Sequence, residues 1–237
     1  MNSSQLKIIA IIGMVLDHIA WILFPSIDIF HLIGKISFPI FCYMISEGYF
    51  KTRNKKKYLL RLLGIAIVSQ IPFIITFRVA FGQYYNSFNT IFDLLLGLIS
   101  IWMYDKSKIK SRIIIIIIIG ILALLFNVDG DIYGVLIIFI FYKYHDNFKK
   151  ITKGYVTITL IYLLAFFIYS VIGLPISQII TFAILEPILL QLSGVLISII
   201  LLKFYNGEKG KSLKLLFYSF YPLHLMIIYA IKIYLFD

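Results

Sequence analysis

Three ionisable residues inside one apolar run pose the chemical question for this chain. The run, 6–24, carries Lys7 near its start and the pair Asp17-His18 deep within it. Charge is costly in hydrocarbon, so an intramembrane Asp or His marks a functional site by default. Lys7 and His18 are eleven residues apart, roughly 16 Å and close to three turns of an ideal helix, so both face the same way. Asp17 lies on another face, and neighbouring helix positions do not pair, so its partner must come from a different helix. A histidine beside carboxylates can act as a general base, taking a proton from an amine or hydroxyl as it attacks an activated acyl group. A plainer reading stays open, in which Lys7 flanks the membrane and Asp17-His18 clamps two helices together.

The surrounding elements are membrane helices. The chain has 237 residues, 61% hydrophobic and 14% charged, with mean hydropathy +0.97, which excludes an ordinary soluble domain. Apolar runs of membrane length predict nine helices near 6–24, 29–50, 58–79, 88–104, 113–127, 132–144, 154–173, 187–204 and 214–235. No connection is long enough for a separate domain, so 1–237 reads as one all-α, polytopic bundle. The first run is too long for a signal-peptide core and should remain as a helix. Cys42 is the single cysteine, so no internal disulfide forms. The net charge of +11 sits in short loops, where it reports topology and an anionic ligand rather than nucleic acid. Basic clusters recur in alternate loops (Lys51 to Lys57, Lys106 to Arg112, Lys143 to Lys153, Lys203 to Lys214), predicting a cytoplasmic N-terminus and an outer C-terminus. Segment 174–187, with Pro175 and Pro187, predicts an interruption: a re-entrant or interfacial piece, or the start of a long eighth helix. The isoleucines of 113–119 read as lipid-facing or packing surface.

Further polar groups fall inside the runs. Glu47 lies near the inner end of helix two, Lys35 in its outer part, and Arg61 and Gln70 in helix three. Asn89 and Asp93 are four apart on helix four, and Tyr221 and His224 are three apart on helix nine, so each pair shares a face. Such groups must pair within the bundle, because lipid offers no partners. Asn89, Asp93 and His224 together with Asp17-His18 predict a shared polar cavity, while Glu47 and Arg61 suit an interfacial ion pair, snorkelling or a ligand role. Tyr162 and Tyr169 read as core and interface belt, and His31 and His145 receive no role. Metal-ligand spacings, glycine-rich phosphate loops and familiar hydrolase motifs are absent from the sequence.

These motifs, in order, resemble one family. Leu6-Lys7 to Asp17-His18, Phe38-Pro39-Ile40-Phe41, Glu47-Gly48, Thr52-Arg53-Asn54 and Lys57-Tyr58 come first. Gln70-Ile71-Pro72-Phe73, Asn89, Asp129, Tyr133-Gly134-Val135-Leu136, Tyr205-Asn206-Gly207 and Tyr221-Pro222-Leu223-His224-Leu225 follow. The set resembles the TraX family of membrane proteins over almost the whole chain. Asp93, where an uncharged residue is usual, and Gly130-Asp131 depart from its pattern. The family is known for the acetylase that caps conjugative F-pilin, and it looks distantly related to membrane acyltransferases with a basic residue and a histidine spaced as Lys7 and His18 are.

The resemblance implies a bacterial cytoplasmic-membrane acyltransferase that uses acetyl-CoA, without metal, to acylate an amine or hydroxyl of a peptide or glycan. His18 is then the base, with Asp17 orienting it or stabilising its charged form. Lys7, Arg53 and Arg61 are candidates for the CoA phosphates. Glu47, Asn89, Asp93, Asp129, Tyr221 and His224 are candidates for positioning substrate or the thioester carbonyl. The bilayer is a partner, nucleic acid is not, and a homo-oligomer is compatible. A small proton-coupled transporter or flippase, or a non-enzymatic component of a secretion or conjugation complex, remains an alternative.

Overall fold

Several helices begin where asparagine supplies a cap. Asn2 and Gln5 form a reciprocal capping box at the first helix, and Asn54, Asn89 and Asn147 each accept a backbone N–H at the start of a later one. The computed structural model describes residues 1–175, 179, 181–211 and 214–236. Among these residues the helices are α1 (Ser3–Ile22), α2 (Asp28–Lys51), α3 (Lys55–Phe81), α4 (Thr90–Lys106), α5 (Ile113–Leu125), α6 (Asp131–Lys143), α7 (Phe148–Val171), α8 (Phe182–Lys203) and α9 (Lys214–Phe236). The chain is an all-α, multi-pass membrane bundle. The one β-type contact among the described residues is a bridge between Phe88 and Val128.

α7 starts before the predicted 154, because Asn147 caps it and its first turns keep Lys149, Lys150 and Lys153 in helical register. α8 likewise starts early, so Glu186 and Pro187 belong to its first turns. In the segment of the expected interruption, 172–175 and 181 are non-helical and 179 is helical, while 176–178 and 180 lie outside the described residues.

Side chains from distant parts of the sequence tie one end of the bundle together. The N-terminal ammonium donates to the Phe204 carbonyl at 2.5 Å, and the Tyr49 and Tyr142 hydroxyls donate to Asp105 at 2.7 and 3.0 Å. Lys51 meets Glu47 at 2.6 Å and donates to the Tyr205 hydroxyl at 2.8 Å, while the Tyr205 hydroxyl lies 3.1 Å from Glu47 and His145 lies 2.6 Å from it. Arg112 lies over the Tyr104 ring at 4.4 Å. Odd-numbered helices start and even-numbered helices finish here, so this basic end collects all four lysine-rich loops. Outside the spans, burial raises the Tyr205 phenol above its ordinary value.

The far end is uneven. α1, α2, α3, α7, α8 and α9 are long and apolar enough to cross a bilayer. α4, α5 and α6 have 17, 13 and 13 residues, about 20–25 Å of helix against roughly 30 Å of hydrocarbon. Nine helices are expected from the sequence with the sixth short; among the described residues six are of membrane length and three, α4, α5 and α6, are short. Gln70, midway along α3, donates to the Ser87 carbonyl at 2.8 Å just before α4 starts, so the short helices stop well before the far end of α3. The α5–α6 loop is held there by Phe88, whose N–H donates to the Asn127 carbonyl at 3.0 Å and whose carbonyl accepts from Asp129 at 2.8 Å. In the isoleucine run, Ile116 and Ile119 are buried, while Ile113, Ile114, Ile117 and Ile118 face outward.

α1 and α2 pack most closely, and two glycines allow it. A side chain on Gly13 would strike Ser37 and the Ile33 carbonyl, and one on Gly34 would strike the Asp17 carboxyl.

Candidate active site

A cavity of about 220 Å³ lies in the far half of the bundle, beside the shortened helices. α1 supplies Asp17 and His18, α2 supplies Lys35 and Ser37, and α4 supplies Thr90. The α5–α6 loop supplies Asp129 and Gly130, and Tyr133, Tyr162 and Gln191 close the wall. The polar lining is held by hydrogen bonds between helices. The Thr90 hydroxyl donates to Asp129, and the Tyr221 hydroxyl donates to Thr90 at 3.5 Å. Tyr162 donates to Asp131 at 3.2 Å, and Gln191 donates to the Tyr133 hydroxyl at 3.2 Å.

The central contact is between two histidines. His18 Nδ1 lies 2.7 Å from His224 Nε2, and His224 Nδ1 lies 2.9 Å from the Phe220 carbonyl. A carbonyl only accepts, so His224 Nδ1 carries a proton; for neutral rings its Nε2 is then an acceptor, and His18 Nδ1–H donates to it. The ring centroids are 5.0 Å apart and the planes 7° apart. With so short an N–N contact, the rings lie edge to edge in one plane, not face to face, so the lone pair points along the N–H bond. Tautomer and orientation of His18 are both set, and its proton-free nitrogen is Nε2. Nε2 has no partner among the described residues, yet it is not among the sealed buried polar atoms, and His18 lines the cavity. Phe77 meets the ring edge-on at 5.5 Å, and Tyr221 at 6.1 Å.

Lys7 and His18 both turn towards α9. Lys7 lies over the Phe217 ring at 5.3 Å, one end of a stripe whose other end is the His18–His224 contact. Lys51 and Lys209 are near enough to act electrostatically on Lys7, and Lys51 is paired with Glu47.

The predicted residues separate into groups. Asp17, His18 and Asp129 line the cavity, and His224 and Tyr221 lie directly behind it. Asp17 turns away from His18 to His31 of α2, with Oδ1 3.7 Å from Nδ1, while His31 Nε2 donates to the Pro25 carbonyl at 3.3 Å. Asn89 serves the fold: it caps α4, and its amide donates to the Ala66 carbonyl and to Gln70 at 2.9 and 2.8 Å. Asp93 is wholly buried, with neither oxygen hydrogen-bonded among the described residues, and it presses where Gly130 and Gly134 lack a side chain. Gly130 also needs its positive φ of 110°. Glu47 belongs to the network at the basic end, Arg53 is exposed there, and Arg61 lines a separate groove.

Sequence reasoning passed over His31, His145, Lys35, Tyr162 and Gln191 as site or network members. The one available signal was Asp17, which required a partner on another helix; nothing in the sequence pointed to His31 over other polar residues. Tyr162, read as core and belt, instead joins Asp131 to the cavity wall.

The chain is 30% identical over 251 residues to a probable fimbrial assembly protein, FimC of serogroup H1, from Dichelobacter nodosus, covering 99% of this chain and 97% of that one. It is 29% identical over 102 residues to an uncharacterised protein, RP591, of Rickettsia prowazekii (strain Madrid E), covering 43% of this chain and 37% of that one. No solved structure gives a significant match. The family model described as TraX protein matches residues 2–232, and the chain belongs to the TraX family.

Proposed function

We propose that this protein is a bacterial membrane acyltransferase that moves an acetyl or other acyl group from CoA to an amine or hydroxyl of a peptide or glycan. The observation that carries the reading is His18: a buried imidazole whose Nδ1–H is committed to His224 while Nε2 is left to the cavity. In this reaction Nε2 removes the acceptor's proton as its nitrogen or oxygen attacks the thioester carbonyl, and the proton returns to the departing CoA thiolate. Asp17 and Asp129 face the same space and Lys35 offsets their charge, so the lining suits a polar acceptor.

The donor's chemistry also suits this chain. Acyl-CoA supplies the activated thioester, and its phosphates match the ammonium groups of Lys7 and Lys209 towards the basic end. With that end cytoplasmic, donor and acceptor approach from opposite sides, and the Lys7-to-His18 stripe lies between them.

The test is thermal stability of the detergent-purified chain with acetyl-CoA, CoA and ATP, joined to an acyl-transfer assay on His18→Ala. A ligand that binds the folded state alone raises the midpoint with concentration. The expected result is a shift with CoA species beyond that with ATP, and loss of transfer in an inserted, folded His18→Ala protein. Equal shifts with all three ligands, or a fully active variant, would overturn the reading.

A second reading has one observation in its favour. The relative covering nearly all of this chain is called a probable fimbrial assembly protein, so a non-enzymatic assembly component is the alternative. It requires surface patches on the bundle and no reactive histidine.

A further inference from the structure

The seam between α3 and α9 opens near the basic end into a groove of about 250 Å³, lined by Leu60, Arg61, Gly64, Ile65, Val68 and Tyr218. Two features set it apart from ordinary lipid-facing surface. Arg61 and Tyr218 are its polar members, both exposed, and neither makes a hydrogen bond or ion pair with a described residue. Both lie near enough to act electrostatically on the Tyr58 hydroxyl, and both line the same groove. Beyond them the wall is apolar, Leu60 and Val68 are 54% and 64% exposed, and the space over Gly64 is open, since a side chain built there would meet nothing within 4 Å.

Depth identifies the occupant. Arg61 is six residues along α3 from Lys55, about 9 Å of rise. Its long side chain can reach back towards the headgroup level marked by Lys55, Lys56 and Lys57. A cation with a hydroxyl at the interface, above an open apolar wall running towards the bilayer centre, complements one molecule with a phosphate and a chain. We infer that this groove binds an anionic phospholipid of the basic-side leaflet, its phosphate on Arg61 and Tyr218 and one acyl chain lying over Gly64 towards Val68.

Such a lipid would reinforce a particular joint. α9 packs chiefly on α3 and α1. Higher on the same seam Thr76 donates to the Leu225 carbonyl at 3.2 Å, and Phe73 and Phe77 pack with Tyr221 and Leu225. α9 also carries His224, so a lipid at the foot of the seam couples the membrane's composition to the helix behind His18.

The experiment uses the full-length chain in neutral detergent, with the melting midpoint read against added phosphatidylglycerol, phosphatidylcholine, CoA and inorganic phosphate. Retention of lipid is read in parallel by native mass spectrometry. The expected result is a midpoint rise and a retained adduct with phosphatidylglycerol that phosphatidylcholine does not match. Arg61→Gln should lose more than half of that shift, Gly64→Leu should lose the adduct, and Lys56→Gln, the same charge change outside the groove, should keep both. Equal effects of the two lipids, or a phosphatidylglycerol shift that survives Arg61→Gln, would overturn the proposal. An Arg61-dependent shift with CoA or free phosphate, and none with lipid, would overturn it in favour of a donor-phosphate site.

Discussion

Replacing His224 tests the active-site reading at its most exposed point. The contact removed is the 2.7 Å bond from His18 Nδ1 to His224 Nε2. While His18 is neutral this is an ordinary hydrogen bond, which contributes about 1 kcal/mol. Once Nε2 has taken the acceptor's proton, the same bond joins an imidazolium to a neutral acceptor, and hydrogen bonds to charged groups are worth about 1.5–3 kcal/mol. That gain arises as charge develops, so it belongs to the transition state and should appear in kcat. The gain over the neutral bond is about 0.5–2 kcal/mol, so at about 1.4 kcal/mol per tenfold in rate His224→Leu should lower kcat about 2- to 30-fold with the donor KM near wild type. Leucine fills a site that is 7% exposed in the folded chain, so the fold should survive. His224→Gln can return an acceptor oxygen and should recover much of the loss. The assay is acyl transfer in detergent or proteoliposomes at saturating and limiting donor, with the melting midpoint measured alongside. A His224→Leu protein with wild-type kcat, or one altered in KM alone, would refute the assignment of His224 as the residue that positions His18.

Three further outcomes follow from the same geometry. Lys7→Ala removes the ammonium group at the basic end of the stripe on α1 and should raise the donor KM about tenfold with little change in kcat; an unchanged KM in a CoA titration would exclude a donor contact. Gly34→Ala puts a methyl group on the Asp17 carboxyl, so overpacking of about 1–3 kcal/mol should lower the melting midpoint; a midpoint equal to wild type would contradict the close α1–α2 approach. Gly134→Ala should be destabilising by a similar amount against Asp93 and Phe38, and adding Asp93→Ala should recover much of it. Simple additivity of the two changes would show that they do not share a contact.

Part of this protein is written locally in its sequence. Apolar runs of membrane length, asparagine caps at 2, 54, 89 and 147, and lysine-rich loops determine the helices and the end that gathers the positive charge. These signals depend on the cost of exposing backbone or charge to lipid, and that cost acts on each segment alone. The stripe from Lys7 to His18 was legible for the same reason, as a matter of pitch along one helix. The partners of those groups were not. His18 meets His224 across 206 positions, Asp17 meets His31, and Asn89, which shares a helix face with Asp93, turns out to be a cap with no place in the cavity. In water, hydropathy would mark the buried face of each helix. In a bilayer the lipid-facing and core-facing sides are both apolar, so periodicity carries little information about which faces meet. Only the packed bundle decides that: glycines at 13 and 34 that let α1 and α2 close together, three short helices that leave room at the far end, and α9 laid along α3 and α1 so that its histidine reaches the first helix.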